Sequence, residues 1–196
     1  MSKLSKKATA SLPAIDMLRS GVQILDPDGA DVEMCVAIVA AQFNGAIVDR
    51  LVDGAIAEFS KGGIAAQAIT LVRVPGAWEL PVVANALAET IAFDGIVALG
   101  CVIRGETAHF DMIANESGRG LMQVALLHSL PVANGVLACE NEQQALDRAG
   151  GVHGNKGAEA ARALLDTLGV MAAIDTSYGG VAEELDGLDL DEDMLR

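Results

Sequence analysis

The feature that most constrains this chain is an alternation of apolar runs with helically spaced segments. The runs are VEMCVAIVAA (32–41), IAAQAITLVRV (64–74), GIVALGCVI (95–103) and PVANGVLAC (131–139). Each reads as a strand, and the third is apolar on both faces, as an inner strand must be. After the first run, FNGAIVDRLVDGAIAEFSKGG sets Ile47, Leu51, Ala55 and Phe59 at helical spacing and stops at Gly62 and Gly63. Pro75 and Gly76 close the second run, and AWELPVVANALAETIA then returns to helical periodicity, with Pro81 tolerable in the first turn. GRGLMQVALLHSL follows as a third helix, and NEQQALDRAG and NKGAEAARALLDTLGVMAAI form two more helical pieces across the glycine-rich GGVHG. Strand and helix taking turns predicts an α/β fold, with a parallel sheet covered on both sides.

Composition agrees with a single domain of that class. The chain has 196 residues, 52% hydrophobic and 3% aromatic, so its interior must be built from Ala, Val, Ile and Leu. Residues 1–30 lack a sustained period and contain the turn cluster DPDGAD, and they read as an N-terminal extension. The fold proper is expected over 31–174. Residues 175–196 carry eight acids against the single base Arg196 and read as a solvated acidic tail. A net charge of −14 argues against binding to nucleic acid or to an anionic membrane through the overall field. The opening MSKLSKKATA is basic, but no signal-peptide apolar stretch follows it, and charge or Gly interrupts every apolar run well before about 18 residues. The expectation is a cytoplasmic protein. Cys35, Cys101 and Cys139 lack metal-ligand spacing and lie in strand-like contexts, where buried free thiols are expected.

In a parallel α/β sheet, ligands bind beyond the carboxyl ends of the strands. Four segments carry unusual chemistry there: QFNG, VPGAWEL, VIRGETAHFD and the ANG of the fourth run. VIRGETAHFD gathers Arg104, Glu106, Thr107, His109 and Asp111 behind an inner strand. His109 on such a loop suits proton transfer near neutrality. A metal site from His109 and Asp111 lacks evident further ligands, and no metal is expected. Phe43 and Trp78, the only tryptophan, suit stacking on a flat heteroaromatic ligand, although either also suits core packing. Glu79 beside Trp78 suits hydrogen bonds from hydroxyls, or equally the helix dipole. Gly154, Asn155, Lys156 and Gly157 fail the P-loop pattern, which needs Lys directly after Gly and then Ser or Thr. Arg148 and Lys156 suit a monophosphate, or else are solvated helix charges. Gly157, Ala158, Ala160 and Ala161 are small enough for close helix contact.

QFN, VPGAWELP, ALGCVIRGETAHFD, GVLACENEQQALDRAG and GNKGAEAA stand in the order and spacing of the 6,7-dimethyl-8-ribityllumazine synthases. The chain resembles that family over roughly residues 32–170. The resemblance implies a flavodoxin-like three-layer α/β/α sandwich with a four-stranded parallel sheet in the order 2-1-3-4. It implies a transferase of riboflavin biosynthesis that uses neither metal nor organic cofactor. Such an enzyme condenses 5-amino-6-(D-ribitylamino)uracil with 3,4-dihydroxy-2-butanone 4-phosphate and releases phosphate and water.

By the same resemblance, Phe43 stacks on the pyrimidine. Ala77, Trp78 and Glu79 hold the ribityl chain, and Val102 and Ile103 offer main-chain contacts to the ring. Lys156 lies near its carbonyl edge, Glu106, Thr107 and Arg148 hold the phosphate, and His109 transfers protons. Asn134 stands where many members have Phe, and Val152 where many have a second Lys. Asn134 is then expected to hydrogen-bond the pyrimidine edge, and Arg148 to carry more of the phosphate binding. The resemblance further implies pentamers with sites between adjacent chains. Phe43, Trp78 and His109 would come from one chain, and Asn134, Arg148 and Lys156 from the next. The compact joint before the last helix is similar to that of members that build icosahedral shells, and riboflavin synthase is a candidate partner. A flavodoxin-type electron carrier would need a Ser- and Thr-rich phosphate loop after the first strand, which QFNGA does not supply. A non-catalytic lumazine binder would not need both Arg148 and His109, and a purely structural shell protein would need neither.

Overall fold

A computed structural model describes residues 34–186. The chain runs β1 (Val36–Ala41), α1 (Gly45–Lys61), β2 (Ile69–Val74), α2 (Leu80–Glu89), β3 (Gly95–Ile103), α3 (His109–His128), β4 (Val132–Cys139), α4 (Glu142–Arg148), β5 (Ala149–Gly151), β6 (Gly154–Asn155) and α5 (Lys156–Asp186). Short 3-10 turns over Ala66–Ala68 and Ala77–Glu79 precede β2 and α2.

The four long strands form one parallel sheet in the order β2-β1-β3-β4, as expected. Burial follows position in it. Every residue of the central β1 is buried, as are the first seven of β3, while β2 and β4 are partly exposed edges. Strands buried on both faces cannot show alternation, which is why β1 and β3 are nearly continuous in Ala, Val, Ile and Leu. One apolar layer sets Ile38, Val97, Leu99 and Leu137 against Leu51, Phe59 and Leu164 of α1 and α5. The other sets Val39, Ile96 and Ala98 against Leu80, Ala84, Leu121 and Val124 of α2 and α3. The result is the predicted three-layer sandwich.

Helix α1 buries Ile47, Val48, Leu51, Val52, Ala55 and Phe59, which include all four residues expected from the spacing. It ends at Gly62, and Gly63 turns the chain with φ 90. Pro81 lies in the first turn of α2, where its missing N–H costs no intrahelical bond.

Four local expectations differ from the structure. Helix α3 begins at His109 rather than Gly118, so His109 sits in a helical first turn and not on a free loop. GGVHG is not an open joint but a β5-β6 antiparallel hairpin. Asn134 is not at a strand end: it pairs with Ala98 within the β3-β4 ladder. Helix α5 continues past residue 174 to Asp186, with Asp175, Thr176, Ser177 and Tyr178 exposed. The N-terminal extension and residues 187–196 of the acidic tail lie outside the described residues.

Candidate active site

The chain moves from β1 to β2 on one side and then crosses back past β1 to β3 on the other, so the carboxyl ends of β1 and β3 flank a topological switch point. A cleft of about 360 Å³ opens there. Phe43 enters it from the β1-α1 turn, Ala77 and Trp78 from the turn after β2, Val102 and Ile103 from the end of β3, and Thr107 and His109 from the start of α3.

Backbone bonds hold this assembly together. Gln42 and Phe43 donate their N–H groups to the carbonyls of Val74 (2.7 Å) and Pro75 (3.0 Å), which fastens the β1-α1 turn to the end of β2. Asn44 adopts a left-handed conformation (φ 56) that Asn tolerates better than most residues. Its Nδ2 donates to the Cys101 carbonyl at 2.9 Å, which ties the same turn to β3. Phe43 is therefore locked at its backbone while its ring stays 69% exposed, and the Trp78 indole is 51% exposed. Neither aromatic is packed into the core of this chain. Glu79 is not among the residues that line the cleft. Its carboxylate accepts the Gly76 N–H at 2.9 Å, a contact that stabilises the turn into α2. Glu106 is exposed on the loop between β3 and α3, beside the cleft-lining Gly105 and Thr107.

The remaining expected residues lie elsewhere on the chain. Asn134, Arg148 and Lys156 line a second depression of about 440 Å³ along the edge strand β4, with Cys139, Glu159 and Ala160. Arg148 ends α4, and its guanidinium donates to the Gln144 carbonyl at 3.0 Å, a favourable place for a cation on the helix dipole. The Lys156 ammonium pairs with Glu159 at 2.5 Å. Asn134 Oδ1 accepts the Val136 N–H at 2.9 Å, which fixes its carboxamide on the exposed strand. Val152 sits at the hairpin tip, 82% exposed and away from both depressions. The glycine-flanked Asn155 is a helix cap: Oδ1 accepts the N–H groups of Gly157 (2.9 Å) and Ala158 (3.1 Å). The amides a P-loop would offer to phosphate are thus engaged.

Sequence reasoning missed several residues. Gly76, Cys101, Phe110 and Ile113 also line the cleft. Arg104, which the sequence alone assigns no role, makes the densest polar network in the region: Nε meets Glu140 at 2.7 Å, and the two terminal nitrogens meet Asp111 at 3.0 Å each. Its guanidinium also lies 4.1 Å from the centre of the Phe110 ring. The fork holds the Asp111 carboxyl below the usual carboxylate range, so Asp111 is an ion-pair partner and not a spare metal ligand. Among the described residues no group of three or more His, Cys, Asp or Glu is arranged to hold a metal ion, and no helix is long and apolar enough to cross a membrane.

Fold and cleft together define an α/β protein of the flavodoxin-like class with a crevice at its switch point that two exposed aromatic residues line. Comparison with known proteins narrows this. A sequence model of the family 6,7-dimethyl-8-ribityllumazine synthase matches residues 33–172. A protein of that name from Desulfovibrio desulfuricans is 51% identical over 136 residues, covering 69% of this chain and 87% of its own length. Another from Nitratidesulfovibrio vulgaris is 50% identical over 135 residues, covering 69% and 86%. The chain belongs to the 6,7-dimethyl-8-ribityllumazine synthase family, and the expectation of an enzyme of riboflavin biosynthesis stands.

Proposed function

We propose that the protein condenses 5-amino-6-(D-ribitylamino)uracil with 3,4-dihydroxy-2-butanone 4-phosphate, and that it does so in sites shared between neighbouring chains. One observation carries the second half of this reading. The residues one site requires are divided between two depressions, an aromatic cleft with His109 and a cationic one with Arg148 and Lys156. The flat pyrimidine suits the exposed ring of Phe43, and its ribityl arm suits the Ala77-Trp78-Glu79 turn. Val102 and Ile103 offer backbone groups to the ring edge, and Lys156 and Asn134 approach from the adjacent chain. The phosphate rests on Arg148 of that chain and on the loop at Glu106 and Thr107.

The pyrimidine's amine attacks the ketone, and loss of water gives an imine. Proton movement then lets phosphate leave by elimination, the resulting enol tautomerises to a carbonyl, and the ribitylamino nitrogen attacks that carbonyl and loses a second water to close the ring. His109, at the mouth of the cleft, is the group that moves these protons. Holding two reactants in register contributes much of the acceleration, since effective molarities for oriented pairs reach on the order of 10⁵ M or more. The catalytic unit is 31–174, with an N-terminal extension at 1–30 and an acidic stretch at 175–196, the first part of which continues α5 to Asp186. The working particle is a pentamer, further assembled into an icosahedral shell in the cytoplasm, and riboflavin synthase, which consumes the product, is its partner.

The test is to mix purified protein with both substrates, follow the lumazine chromophore, and measure particle mass by light scattering. The reading expects chromophore from a particle of several chains. Absence of chromophore contradicts the reaction, and full activity in a single-chain particle contradicts the shared site.

A further inference from the structure

The segment 105–108 connects β3 to the helix carrying His109, and it is exposed throughout. A Cβ on Gly105 would meet nothing within 4 Å, and none of the hydrogen bonds among the described residues involves Gly105, Glu106 or Thr107. The shape of such a loop is set by its two ends. Both ends are fastened to one side chain. Arg104 is fixed at its backbone, where its N–H donates to the Cys139 carbonyl at 2.9 Å and extends the sheet ladder one step past β3. From there the guanidinium forks onto Asp111, in the first turn of α3, with two bonds of 3.0 Å. Its third nitrogen is braced by Glu140 at 2.7 Å, just beyond β4, and its face covers the ring of Phe110, which is buried against the cleft.

We propose that Arg104 is a positioning residue, whose clamp on Asp111 and Glu140 holds the 105–108 loop and His109 in working geometry for the phosphate-bearing substrate. The inference rests on the function proposed above for the cleft. Single exposed ion pairs contribute little to stability, but a planar bidentate fork braced by a second carboxylate fixes direction as well as distance. Lys cannot reproduce that fork. The clamp therefore acts on geometry, and small misplacements at a reacting centre are expensive in rate.

The experiment compares Arg104→Gln, Arg104→Lys, Asp111→Asn and the Arg104→Gln/Asp111→Asn double variant, each with its melting temperature and particle mass. Arg104→Gln should lower kcat by about ten-fold and raise KM for the phosphate ester by about ten-fold, with KM for the pyrimidine amine within about two-fold of the parent. Arg104→Lys should resemble Arg104→Gln, and the double variant should be no worse than the worse single one, because the two residues act as one unit. Hydrogen exchange of the Arg104, Asp111 and Met112 amides, which donate to the Cys139 and Ala108 carbonyls at the two ends of the loop, should quicken in every variant, whether or not the protein turns over substrate. A fully active Arg104→Lys, additive losses in the double variant, equal rises in both KM values, or unchanged exchange would each overturn the clamp. Failure of the parent protein to form the chromophore would instead overturn the function, and exchange alone would then decide the clamp.

Discussion

Arg148 and His109 serve different parts of the proposed chemistry, so their removal should leave different kinetic traces. His109→Ala is expected to lower kcat by on the order of 10²-fold without abolishing turnover, since positioning persists when the proton carrier is lost. Arg148→Ala should chiefly raise KM for the phosphate ester, by roughly ten- to a hundred-fold for one charge-assisted contact. Steady-state kinetics separate the two, and an Arg148→Ala variant with unchanged Michaelis constants would contradict its role. The Arg104–Asp111 pair has its own pH signature. A lowered carboxyl pKa favours the folded clamp above the ordinary Asp range near ~3.9, and that advantage is lost as pH falls through the lowered value. Rate changes near neutrality therefore belong to other groups. The cysteines titrate the opposite way: burial pushes the Cys101 thiol up to about 12 and raises Cys139 as well. Both should resist iodoacetamide at pH 8 in the folded protein. Because the folded state keeps these protons longer, stability should decline as pH rises from the ordinary thiol range, near ~8.5, towards about 12.

At the scale of elements, close approach between α1 and α5 is set by Gly157. A Cβ there would drive into the backbone carbonyl of Leu51, which cannot move aside as a side-chain tip can. Gly157→Ala should cost roughly 1–3 kcal/mol or more, read as a lower denaturation midpoint, whereas the same change at Gly45, where a Cβ would meet nothing within 4 Å, should be mild. The small residues of GNKGAEAA made this contact legible in the sequence, and the doubly buried β1 and β3 were legible in their apolar runs. The start of α3 was not. Only Phe110, Ser117, Leu121 and Val124 are buried along it, so the polar stretch from His109 to Glu116 shows little helical period. The β5-β6 hairpin was hidden for a related reason: strands of three and two residues carry no pattern. The Arg104–Glu140 bond joins residues 36 apart in sequence, which no local spacing announces.

For the whole molecule, motif identity named the residues expected at the site, but their partition between two depressions became visible only in three dimensions. Phe43, Trp78 and His109 share the cleft, while Arg148, Lys156 and Asn134 line the other surface. A symmetric ring, in which one surface of each copy meets a different surface of the next, would unite them. The most direct test is complementation. His109→Ala and Arg148→Ala chains are purified separately, dissociated, mixed in equal amounts and reassembled, and lumazine formation is measured with the phosphate ester well below the parent's KM, where both variants are impaired. Each mixed particle then contains some interfaces that join an intact cleft to an intact cationic surface. The account predicts that activity rises well above that of either variant alone, towards roughly a quarter of the parent's for random pairing. If the mixture, reassembled to the parent's particle mass, is no more active than the average of its two components, the site does not lie between chains.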